Sequence, residues 1–182
     1  GDHMQNDTIR VGIVGAGGNT KAKHIPGLQA LENVTVTAVC NRSRASSETA
    51  AETFGIAQVF DDWRRLVESP DIDAVVIGTW PYMHHPVTLA ALEAGKHVLC
   101  EARMAMNARE AHEMLRASRV RPHLVAQVVP SPFSLKVDRT IQRLLAEGYI
   151  GDVLAIDVRD NGGFLDRDGP LTWRLDVQLS GL

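Results

Sequence analysis

The segment from Ile9 to Val34, IRVGIVGAGGNTKAKHIPGLQALENV, restricts the possible folds more than any other part of the chain. An apolar run from Val11 to Val14 ends in Gly15-Ala16-Gly17-Gly18 and opens into a helical pattern. Strand, glycine turn and helix start in that order describe a βαβ unit of the dinucleotide-binding kind. Gly15 permits a tight turn, and Gly17 lets backbone amides approach a pyrophosphate. The helix start at Gly18, Asn19 and Thr20 offers free N–H groups and a positive dipole end. The sixth position of G-x-G-x-x-G is Thr20, so a hydroxyl and a methyl must pack where glycine would let the helix lie closer to the strand.

The rest of the chain continues the same beat. Apolar runs predict strands at 9–14, 34–40, 58–60, 74–78, 97–100 and 124–129, and helical spacing predicts helices at 45–54, 62–68, 86–94 and 108–119. Strands dense in Val and Ile, without polar alternation, belong in a parallel sheet covered on both faces. Residues 8–129 are therefore expected to form an α/β fold, a doubly wound parallel Rossmann sheet with right-handed crossovers. Pro130-Ser131-Pro132 reads as a boundary. A helix from Phe133 to Glu147 and an alternating strand, Asp152–Arg159, should follow, so residues 130–182 read as a linker helix and the truncated start of a second α/β domain. Residues 1–7 read as a tag remnant, Gly-Asp-His-Met, and a disordered start.

Composition removes several classes. Net charge is -3 with no basic run, which gives no nucleic-acid surface. No apolar run reaches the roughly 20 residues of a membrane span, and no signal peptide is present. The two cysteines, Cys40 and Cys100, fit reduced core residues of a cytoplasmic protein, and no metal site is expected.

In a doubly wound sheet ligands lie beyond the carboxyl ends of the strands, so the polar residues there carry the candidate chemistry. The second strand ends Asn41-Arg42-Ser43-Arg44 where an NAD site usually has Asp or Glu. Asn41 would not repel a 2′-phosphate, and Arg42, Ser43 and Arg44 can bind one, which favours NADP over NAD. The fourth ends Thr79-Trp80-Pro81-Tyr82-Met83-His84-His85. Trp80 or Tyr82 can wall a nicotinamide or substrate pocket, while His84 or His85 can cap the next helix or exchange a proton. Glu101 and Arg103 follow the fifth strand, where they can orient substrate or pair with each other. Gln127, near the end of the sixth, is placed to reach the same crevice.

Taken together, these strand ends resemble the Gfo/Idh/MocA oxidoreductase family. The matching pieces are GIVGAGGNTKAKHIPGL, AVCNRSRASSETAAETFGI, DDWRRLVESPDIDAVVIGTWPYMHHPVTLAALEAGKHVLCEARMAMNAREA and LLAEGYIGDVLAIDVR. The resemblance implies an N-terminal Rossmann domain followed by an α/β domain on a large open sheet. It places Gly15, Gly17, Asn41, Arg42, Thr79, His84 and Glu101 along a cofactor crevice. It also exposes a departure: the family's Glu-Lys-Pro appears as Glu101-Ala102-Arg103. The family lysine takes part in proton transfer, which alanine cannot do, and Arg103 stays protonated and is a poor base. The proton must then come from Tyr82, His84, His85 or a group beyond Leu182. Trp173-Arg174-Leu175-Asp176 and Ser180-Gly181 resemble the segment before the family's catalytic helix.

The resemblance implies hydride transfer between NAD(P) and the carbinol carbon of a sugar, cyclitol or similar polyol, with Tyr82, His84 and Arg103 as candidate catalytic groups and the chain by itself catalytically incomplete. The competing reading is a non-catalytic NAD(P)- or sugar-binding sensor. An exposed second-domain strand and an apolar tail (Leu175, Val177, Leu179, Leu182) predict a homo-oligomer.

Overall fold

The computed structural model describes residues 8–130, 136–159, 169 and 172–181. The expectations for residues 1–7, for Ser131-Pro132, for a helix start at Phe133 and for Leu182 lie outside the described residues. Two compact units are present: one runs to Val129 and includes the stretch from Thr172, and the other runs from Pro130 to Leu171.

In the first unit, β1 (Ile9–Val14), β2 (Val34–Cys40), β3 (Gln58–Val59), β4 (Ala74–Ile77), β5 (His97–Cys100) and β6 (Ala126–Val128) form one sheet in the order β3-β2-β1-β4-β5-β6. Every pairing is parallel. The winding reverses between β1 and β4, and that junction is where a doubly wound sheet leaves a crevice. Strands alternate their side chains between faces. Val75 and Ile77 pack with Leu66, Val87, Leu92 and Met114 of α3 (Trp63–Glu68), α4 (His84–Glu93) and α5 (Ala108–Arg119). Val76 goes to the other face, against Ile25 of α1 (Ile25–Gln29) and Ala50 of α2 (Arg44–Phe54). Burial on both faces is why Val11–Val14 of β1 and the whole of β4 read as apolar runs.

Helix starts follow the local chemistry. Ser43, Asp62 and Asn107 each accept a backbone N–H from the first turn of the helix that follows them. Neither histidine caps α4, contrary to one sequence expectation: Met83 occupies the N-cap without a side-chain bond, and α4 begins two residues earlier than its spacing suggested. Pro86 is tolerated because the first turn needs no N–H from it. The segment after the glycine turn also differs from an ordinary helix, since a π-helical turn, Thr20–His24, precedes α1.

Asp73 ties the base of β4 to β1. Its carboxylate accepts from the Arg10 backbone N–H at 2.8 Å and from Arg10 Nε at 2.9 Å and Nη2 at 2.8 Å. The Arg10 guanidinium holds the Asp73 pKa down at about 2, against 3.8 ordinarily, with burial opposing it. A depressed carboxylate stabilises above the unfolded value and loses that contribution as pH falls toward the folded one. Thermal stability should therefore drop between about pH 4 and pH 2, and Asp73→Asn should flatten that limb in melts recorded across the window.

The second unit contains α6 (Asp138–Ala146). The expected strand over 152–159 is absent as a ladder, and those residues are exposed. Its alternation is real, with Leu154, Ile156 and Val158 all more than four-fifths exposed. A strand exists only through bonds to a neighbour, and no described residue pairs with this one. A short helix, α7 (Val177–Ser180), closes the returning segment of the first unit.

Candidate functional site

The crevice is built on contacts too close for side chains. Gly15 has φ +86°, and a Cβ there would meet the Thr79 backbone N at 2.7 Å. Gly15 N–H donates to the Cys40 carbonyl, and Gly78 N–H to that of Val14, which fixes the turn across three strand ends. The Thr20 departure finds its explanation at Gly78. A Cβ on Gly78 would fall 1.9 Å from Thr20 Oγ1 and 2.4 Å from the Gly15 carbonyl. Thr20 is buried, so the facing strand supplies the space that glycine usually leaves at the sixth motif position. The first amides of the helix have no preceding carbonyl to bond and are available to an anion.

At the end of β2 the side chains are already committed. Asn41 Oδ1 accepts the Ala16 N–H at 2.7 Å, while Nδ2 donates to the Ser46 carbonyl and hydroxyl, both at 3.0 Å. Asn41 therefore braces the glycine turn against α2, and neither end of its amide is free. Arg44, expected as a phosphate ligand, is held by Glu48 at 2.7 Å and by both Asp61 oxygens at about 3 Å. Arg42 has no hydrogen bond or ion pair among the described residues, and its guanidinium lies over the Trp80 ring, 5.9 Å from the centroid. Ser43 Oγ accepts the Ser46 N–H.

A cavity of about 300 Å³ opens between these groups, a volume at the lower end for small-molecule sites. Gly15 and Gly17 form its floor, Asn41, Arg42 and Ser43 one side, and Thr79, Trp80 and Tyr82 the other. Thr79 Oγ1 is buried there without a partner among the described residues. Tyr82 is 40% exposed.

The remaining candidates are placed elsewhere. His84 is fully buried, with Nδ1 2.6 Å from the Arg103 carbonyl and Nε2 3.0 Å from the Thr79 carbonyl, so its ring sits between the ends of β4 and β5. His85 Nε2 lies 2.7 Å from Glu113 on α5. Arg103 does not pair with Glu101, as one expectation had it; its Nη1 donates to the Ser180 carbonyl at 3.0 Å. Glu101 Oε1 instead meets His24 Nε2 at 2.5 Å and accepts from Asn19 Nδ2, while Oε2 accepts the Ala102 N–H. Burial opposes the Glu101 charge, but the bonds from His24 and Asn19 outweigh it and hold the pKa below the ordinary range. Gln127 lies on the edge strand β6, with β5 and β4 between it and β1, and does not reach the crevice.

Neither His24 nor Gly78 is among the site candidates read from the sequence, and Ser180 enters there only within the family-like segment near Leu182. The His24–Glu101 contact spans 77 residues and left no local signal. Gly78, by contrast, closes Ala-Val-Val-Ile-Gly, and a glycine ending a central strand opposite a glycine turn is readable as a close approach.

A glycine cradle at the switch point, helix amides above it and a crevice bounded by the ends of β1, β2 and β4 define a dinucleotide-binding domain of the doubly wound class, and the residues present fit that group. The chain belongs to the Gfo/Idh/MocA oxidoreductase family: the model of that family, an oxidoreductase family with an NAD-binding Rossmann fold, matches residues 9–128. It is 30% identical to levoglucosan dehydrogenase of Pseudarthrobacter phenanthrenivorans over 98% of this chain and 47% of that protein. Among solved structures it is similar to scyllo-inositol dehydrogenase from Lactobacillus casei with bound NAD(H) and scyllo-inositol, at 27% identity and TM-score 0.68 over 80% of this chain and 43% of that one. It is also similar to a 3-ketoreductase from Actinomadura kijaniata in complex with TDP-benzene and NADP, at 28% identity and TM-score 0.67 over 78% of this chain and 44% of that one. The chain spans about half the length of the curated relatives it matches.

Proposed function

We propose that the protein is an NAD(P)-dependent oxidoreductase acting on the carbinol carbon of a sugar, cyclitol or similar polyol, with NADP preferred. The observation that carries the cofactor reading is the glycine cradle, where Gly15 and Gly78 leave no room for a Cβ beside a cavity of about 300 Å³. The cofactor supplies the hydride chemistry, and the chain's residues bind and orient it. Backbone amides from Gly17 onward hold the pyrophosphate above the turn that Gly15 makes. Asn41 leaves the ribose end without a carboxylate, and Arg42, free of other partners, meets the 2′-phosphate together with Ser43. Relatives named for levoglucosan and scyllo-inositol support the substrate class.

Tyr82 is the candidate proton donor on the crevice wall, while His84 and Arg103 position the strand ends. Two free, buried cysteines, Cys40 and Cys100, support a reducing, cytoplasmic setting. The exposed Leu154, Ile156 and Val158 support self-association. One observation favours the alternative of a binding module without turnover: position 102 carries no proton-transferring side chain.

Titration with NADPH and NADH, followed by tryptophan quenching and energy transfer to the nicotinamide, tests the reading. Saturable binding that prefers NADPH is expected. Preference for NADH would overturn the phosphate assignment, and binding of neither would overturn the cofactor reading. In a chain extended to the length of the relatives, tight NADPH binding with no turnover of a ketose or ketocyclitol, with or without Ala102→Lys, would shift the conclusion to the binding module.

A further inference from the structure

A second cavity lies away from the crevice, between α5 and the β5–β6 edge of the sheet. Its volume is about 110 Å³, and its walls include Thr88 of α4, Val98 and Cys100 of β5, Val128 of β6, and Met104 and Met114. None of its lining residues borders the crevice. We propose that this cavity is a second binding site, for a small uncharged molecule with a compact hydrocarbon body and one hydroxyl group, phenol being a simple representative. The site is independent of the cofactor reading.

Thr88 calls for the hydroxyl. The residue is 4% exposed, and its Oγ1 has no hydrogen-bond partner among the described residues. Buried polar groups are rarely left so, because the bond to water is lost without replacement. Other donors around the cavity are already committed. The Cys100 thiol, beside Thr88, donates to the Glu101 carbonyl at 3.5 Å, and the Ser118 hydroxyl donates to the Leu115 carbonyl at 2.9 Å. A buried water needs roughly two to four polar partners, so one orphan hydroxyl among thioethers and aliphatic chains is a poor water site. The walls call for the hydrocarbon body. No charged side chain lines the cavity, so a charged or polyhydroxylated molecule would give up its hydration without compensation. That excludes the polyols assigned to the crevice. An apolar cavity of about 150 Å³ holds benzene, so a single ring is near the limit here. Met104 and Met114, unbranched and flexible, supply the adjustment that a ring with a hydroxyl requires.

The test is an NMR titration of the chain with phenol and with benzene, following isotope-labelled methionine methyl groups. Phenol should shift the Met104 and Met114 signals saturably. Thr88→Val keeps the side-chain shape and removes the hydroxyl, so phenol affinity should fall about fivefold or more while benzene affinity is unchanged. Ala126 lines the cavity as the register partner of Val98, so Ala126→Leu should fill it and abolish binding of both compounds. Thermal melts check that both variants keep the fold. Absence of a saturable shift at Met104 and Met114 in the wild type overturns the site. Undiminished phenol affinity in Thr88→Val overturns it as well, and so does an equal loss of phenol and benzene, since only phenol carries the group that Thr88 would bond. Binding that survives in Ala126→Leu lies outside this cavity and has the same consequence.

Discussion

Gly78→Ala is expected to lower the thermal midpoint of the chain by about 5–10 °C, corresponding to roughly 2–3 kcal/mol of overpacking in a domain of this size. The methyl would meet two groups, Thr20 Oγ1 at 1.9 Å and the Gly15 carbonyl at 2.4 Å. A side chain can be trimmed but a carbonyl cannot, so Thr20→Ala combined with Gly78→Ala should recover only part of the loss. Full recovery in melts of the double variant would show that the turn carbonyl yields and that the cradle is softer than its geometry indicates. The same pair has a functional readout. Displacing the Gly15 carbonyl distorts the turn that presents amides to a pyrophosphate, so NADPH affinity should fall even at temperatures where the single variant is folded.

The second large effect is expected at Arg42. Its replacement by Ala should reduce the preference for NADPH over NADH by about tenfold or more, the range of a charge-assisted bond to phosphate. NADH affinity should change far less. Arg44→Ala is the natural control: its guanidinium is engaged by Glu48 and Asp61, so the preference should be unchanged although α2 loses an ion pair. Both variants are read by the ratio of the two dissociation constants. An undiminished ratio in Arg42→Ala would assign the phosphate to Ser43 and the helix amides instead.

The legibility of this chain divides by distance along it. Elements set by periodicity were visible in the sequence: the apolar runs of β1 and β4, the alternation of strands with helices, and the start of α5 at Ala108. These depend on neighbours a few residues away. What the sequence hid depends on pairs far apart. Thr20 looked like a flaw in the glycine motif until Gly78, 58 residues on, was seen to make room for it. His84 looked available for proton exchange, but it is buried between the carbonyls of Thr79 and Arg103, a placement fixed by how β4 and β5 end beside each other. Arg44 and Arg42 are chemically identical in the sequence, and the positions of Glu48 and Asp61 separate them. The alternating segment 152–159 shows the opposite case, a correct pattern without a partner strand to turn it into a ladder.

Asn41 limits how the cofactor preference of such a protein can drift over evolution or be redesigned. The direct route from NADP to NAD would place Asp at the end of β2 to grip the ribose hydroxyls. In this chain that step would keep an acceptor for the Ala16 N–H but remove the donor that satisfies the Ser46 carbonyl and hydroxyl, setting a carboxylate oxygen against a carbonyl oxygen. The glycine turn and the start of α2 would loosen before any new ribose contact was gained. Substitution at Arg42 carries no such penalty, whereas Ser43 caps α2 by accepting the Ser46 N–H, so a lineage or a designer changing the cofactor preference has an open path through position 42 and barriers at 41 and 43.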